Sequence, residues 1–145
     1  MKTLSITLIL CILAVYAFAG QSENDNDTLY IRGKAVVFFG PSQAEYVSMT
    51  DQQKDAIDEG LYEFYHYRGK VLKYLESNEI PEFQTARSKI QIQRDGNESV
   101  TYRRNDMGHV VGVIMTDPQQ EPKVLLGVFK DSALISAFEE YFGLE

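Results

Sequence analysis

Two histidines and a small group of arginines and lysines are the side chains here whose placement has chemical content. His109 follows Asp106-Met107-Gly108, so an aspartate and an imidazole lie within one turn of chain and could act as general acid and base. No nucleophile or second base adjoins them, and turn chemistry accounts for the same run. His66 lies one helical turn from Tyr62, about 180° away from the apolar stripe of its helix, which places both on a solvent-facing side. An imidazole there becomes a ligand or proton carrier only where a pocket is built around it. Arg68 is the opposite case. It falls about 20° from the centre of that stripe, between Phe64 and Leu72, and so either snorkels to the edge of the covered face or pairs with a carboxylate.

The motifs of known cofactor chemistry are missing. The chain has no phosphate loop, dinucleotide-binding glycine pattern, serine elbow, H-E-x-x-H, EF-hand loop or paired cysteines. No cofactor is expected, and a three-ligand zinc site would have to gather carboxylates from distant segments.

Parity between two short strands gives a sharper signal. Ile90 and Ile92 alternate with Lys89, Gln91 and Gln93, and Asp95-Gly96-Asn97 then turns the chain into Val100 and Tyr102. A two-residue loop would put Val100 on the polar face. A three-residue loop sets Ile92 against Val100 and Ile90 against Tyr102, with Asn97 left-handed. In that register Gln93 opposes Ser99, Gln91 opposes Thr101 and Lys89 opposes Arg103, with Arg87 nearby. Like charges directly across a ladder cost a fraction of a kcal/mol. Arg87, Lys89 and Arg103 are therefore the expected binding residues, with Tyr62, His66, Arg68 and His109 as secondary candidates.

The elements that must position them can be read along the chain. Leu29 to Phe39 reads as a first strand, with Leu29, Ile31, Ala35, Val37 and Phe39 on one parity and Val36 and Phe38 on the other. Ser42-Gln43-Ala44-Glu45 and Thr50-Asp51-Gln52-Gln53 have the form of capping boxes. The second opens a long helix to about Ser77, carrying Ile57, Leu61, Phe64, Val71, Leu72 and Leu75 on one stripe. Gly60 and Gly69 interrupt it and are candidates for close packing. After the hairpin, His109 to Met115 is a strand, 117–122 a loop, and Val124 to Phe129 the last strand. Asp131 then caps a closing helix with Leu134, Ile135, Phe138, Tyr141 and Phe142 inward. The expected fold is α+β, with a mostly antiparallel sheet of about five strands and both the long and the C-terminal helix on one face.

Export is the expectation from the N-terminus. Lys2, the apolar run from Leu4 to Tyr16 and Ala17-Phe18-Ala19 match a secretory signal over 1–19. An acidic, flexible leader over 20–28 then precedes a single domain over 29–145. The apolar run is short of the roughly 20 residues a membrane helix needs, so no integral segment is expected after cleavage. Cys11, the one cysteine, leaves with the signal, and a cysteine-free exported domain points to a bacterial periplasmic or secreted setting. The net charge of −7 grows more negative without Lys2, which argues against nucleic acid and leaves a protein partner or an anionic small ligand. The expected function is a non-enzymatic binding domain, of inhibitor or immunity type, using a basic patch on an open sheet face. A small envelope hydrolase built on a histidine–carboxylate pair is the alternative.

Overall fold

The structure is a computed structural model that describes residues 27–108, 111–127 and 130–144. The segment expected to be a signal over 1–19, the expected leader as far as residue 26, and His109 lie outside the described residues. Seven strands and three α-helices follow in the order β1 (Thr28–Arg32), β2 (Ala35–Phe39), α1 (Gln43–Ser48), α2 (Asp51–Ser77), β3 (Glu82–Thr85), β4 (Lys89–Gln93), β5 (Ser99–Arg103), β6 (Gly112–Asp117), β7 (Gln120–Leu126) and α3 (Asp131–Phe142). The class is α+β. The strands form two mixed sheets, β1-β4-β5 and β3-β2-β6-β7, in place of the single sheet expected.

The split occurs inside what reads as one strand. Gly33, at φ 82°, breaks Leu29–Phe39 so that β1 joins the smaller sheet and β2 the larger. The apolar parity survives the break. Ile31, Ala35, Val37 and Phe39 all enter one core with Ile90, Ile92 and Ile114, and Leu29 packs against it. That core fills the space between the two sheets. The opposite parity, Val36 and Phe38, joins Val113 and Met115 against Val71, Leu75, Leu134 and Phe138 of α2 and α3. The larger sheet is thus the middle of three layers, covered by helices on one side and the smaller sheet on the other. Hence β2 is buried at every position, as a continuous apolar run requires.

The long helix matches its expected bounds, and Thr50 and Gln53 complete a reciprocal capping box. The first box closes only halfway. Ser42 accepts from the Glu45 amide at 3.2 Å, while the Glu45 carboxylate turns away to Arg104, the lone charged side chain in the buried polar set of the described residues. The two glycines of α2 part company: Gly60 is buried, whereas a methyl group at Gly69 would meet nothing within 4 Å. Gly69→Ala should therefore raise the unfolding free energy by about 1 kcal/mol, read as a higher denaturant midpoint at unchanged slope.

Two expectations need correction near the C-terminus. The loop placed over 117–122 is largely strand, because β7 begins at Gln120 and contains Pro122. The proline is tolerated there because β7 is an edge strand and the pairing with β6 shifts register between Met115 and Asp117. The α3 cap is Lys130 rather than Asp131, whose carboxylate instead accepts from the Ser132 amide at 2.8 Å. Thr28 belongs to β1 and is 5% exposed, and Asp27 accepts from the Ser88 amide through its carboxylate at 2.9 Å.

Candidate functional site

The hairpin register is the one that parity predicts. Lys89 pairs with Arg103, Ile90 with Tyr102, Gln91 with Thr101, Ile92 with Val100 and Gln93 with Ser99. Asn97 holds φ 65°, and the Arg94 amide donates to the Glu98 carbonyl at 2.7 Å to close the turn. The sequence did not reveal the third strand of this sheet. β1 runs parallel to β4 with Thr28 beside Lys89, Tyr30 beside Gln91 and Arg32 beside Gln93. The outer face is therefore three rows, Thr28–Lys89–Arg103, Tyr30–Gln91–Thr101 and Arg32–Gln93–Ser99. The inner face, carrying Ile31, Ile90 and Ile92, is sealed by the other sheet.

Charge on this face lies at its two ends. Lys89 and Arg103 face each other at one end, and neither makes an ion pair among the described residues. Arg32, exposed, sits at the other end, about 13 Å away at four strand residues of rise. Arg87 is committed differently from the expectation. Its Nη1 donates to the Thr28 carbonyl at 2.8 Å and its amide to Thr85 Oγ1 at 3.1 Å, so it braces the start of β1. The Asp27 carboxylate, held by Ser88, adds negative charge at the same end. Between the ends, Tyr30 is 58% exposed. A shallow trough of about 190 Å³ follows the β1–β4 seam, lined by Tyr30, Ile31, Arg32, Gln91 and Gln93.

The secondary candidates do not converge on this face. Tyr62 and His66 stack on the exposed side of α2 with ring centroids 6.3 Å apart, and Tyr67 meets the imidazole edge-on at 4.8 Å. Aromatic rings, and no carboxylate in salt-bridge range, surround His66 among the described residues. Arg68 is half-buried on α2, with its guanidinium over the Tyr65 ring at 5.2 Å and a buried Nε that has no hydrogen-bond partner. The apolar cavity beside α2, lined by Phe38, Leu61, Phe64 and Val113 among others, is only about 20 Å³. That is room for a single water.

The shifted tyrosines belong to packing. Burial and the hydrogen bond to Asp58, 2.7 Å away, push the Tyr46 phenol up to about 12. Burial likewise pushes Tyr141 up to about 12, and its hydroxyl donates to the Glu121 carbonyl at 2.9 Å. Neither lies on the open face.

The fold and the face together define a class: a three-layer α+β domain with one polar sheet face left uncovered by the described residues. No family model matches the chain, and neither curated proteins nor solved structures yield a match. Among the described residues, no helix is long and apolar enough to cross a membrane, and no group of His, Cys, Asp or Glu side chains could hold a metal ion.

Proposed function

We propose that this chain is an exported, non-enzymatic binding domain that takes a carboxylate-bearing partner on the outer face of β1-β4-β5. The observation that carries the reading is the Lys89–Arg103 pair. Two cations directly opposite on a ladder repel, neither has an ion-pair partner among the described residues, and the chain around them is acidic. A local positive field in such a protein steers and orients an anionic partner. The N-terminal signal pattern supports export, and an open face with polar side chains suits binding better than bond-breaking chemistry.

The double change Lys89→Gln and Arg103→Gln tests it. Removing the repulsion should leave stability unchanged or higher by a few tenths of a kcal/mol. Binding to a carboxylate-bearing polymer, read by isothermal titration, should weaken about tenfold and lose most of its salt dependence. Equal affinity of variant and parent across a salt series would return the face to ordinary solvated sheet.

A further inference from the structure

Resting on that reading, we infer that the partner is an extended acidic polysaccharide, whose uronate carboxylates meet the cations at the two ends of the face and whose sugar rings lie along the Tyr30 trough. Size is the first argument. Three strands about 4.8 Å apart and five residues long make a face of roughly 14 by 17 Å, about 240 Å². A stable protein interface uses about 20–30 residues on each partner, and the three rows of this face supply nine. The face also lacks the cluster of aromatic and aliphatic anchors on which such interfaces depend, since Tyr30 is its one large apolar side chain. A slender chain lying along the strands needs neither.

Backbone pairing separates a polysaccharide from an acidic peptide. A peptide gains affinity on a sheet by adding main-chain hydrogen bonds at an edge. Here β4 is paired on both sides, so a ligand lying along the β1–β4 trough meets side chains alone, whereas a peptide would pair at the outer edge of β1 or β5 and leave the trough empty. Those side chains suit sugars. Gln91 and Gln93 present amides that both donate and accept, Thr101 and Ser99 present hydroxyls beside them, and the Tyr30 ring offers a flat apolar surface for a sugar's C–H face. The trough of about 190 Å³ is smaller than the pockets that hold drug-sized ligands, and it matches one ring of a longer polymer. Cations about 13 Å apart at either end then fit a polymer that carries regularly spaced carboxylates.

The test compares three polymers on the exported chain: polygalacturonate, its fully methyl-esterified form, and polyglutamate. Polygalacturonate should bind at least tenfold more tightly than either of the others. Tyr30→Ala, at a site exposed enough to spare the fold, should weaken polygalacturonate about tenfold and leave polyglutamate unchanged. Polyglutamate binding as tightly as polygalacturonate, with both weakened by Lys89→Gln/Arg103→Gln, would overturn the polysaccharide while preserving the carboxylate-binding face. An unchanged affinity in Tyr30→Ala would also overturn it. Binding of the esterified polymer as tightly as the acid, or no binding of any of the three, would overturn both.

Discussion

Glu45→Ala should lower the unfolding free energy by about 3 kcal/mol, and by more than Arg104→Met does. The reason is an asymmetry in burial. The Arg104 side chain is 7% exposed and that of Glu45 is 34% exposed. Removing the carboxylate strands a guanidinium inside the protein, with the Ala86 carbonyl, 2.5 Å from its Nη1, as its remaining acceptor among the described residues. An uncompensated buried charge of this kind costs about 3–5 kcal/mol, and the retained hydrogen bond places the value at the low end. Removing the arginine instead leaves a carboxylate that water can reach, and methionine keeps most of the volume, so about 1–2 kcal/mol is expected. The double variant should be more stable than Glu45→Ala alone. Chemical denaturation of the three variants forms the cycle that measures this coupling. Additive losses would show that the pair is not energetically linked.

Gly112→Ala should cost about 2–3 kcal/mol through overpacking rather than through backbone strain. Gly112 lies opposite Phe39 on one side and Leu126 on the other, in the layer covered on both faces. A methyl group there would press into the Phe39 ring and stand 2.8 Å from the Leu125 carbonyl oxygen. The ring could turn, but the carbonyl belongs to the β6–β7 ladder and cannot move without disturbing it. The companion change Phe39→Leu should recover part of the loss by emptying the contested space. Thermal unfolding of the single and double variants gives both numbers. A neutral Gly112→Ala would mean that the sheet yields more easily than close packing implies.

What could be read in the sequence was whatever depends on local period. The β4–β5 register followed from parity and a three-residue turn, because a one-residue slip would have turned Ile90 and Ile92 outward. The α2 bounds followed from the capping box at Thr50 and the apolar stripe that runs on to Leu75. What stayed hidden depends on long-range pairing. Arg32 and Tyr30 join the open face only because β1 lies parallel to β4, and a parallel pair leaves no turn between its strands to announce it. The Arg104–Glu45 contact joins residues 59 positions apart. A box with glutamate at its fourth position had pointed to a self-contained cap, so nothing freed that carboxylate for another partner. Pro122 argued for a loop because the edge position and register shift that tolerate it are tertiary facts.

The parallel seam between β1 and β4 has a kinetic consequence. β4 and β5 are joined by a tight turn and can pair within microseconds, whereas β1 must find strand residues some 61 positions later, the separation of Asp27 and Ser88. On a chain that emerges N-terminus first, β1 appears early and stays without its neighbour until α1, α2 and β3 have all been made. Its exposed backbone groups have no native mate during that interval, which leaves it open to strand exchange with another nascent copy. Refolding should accordingly show hairpin signals rising before the β1–β4 seam closes, with that closure coinciding with global folding.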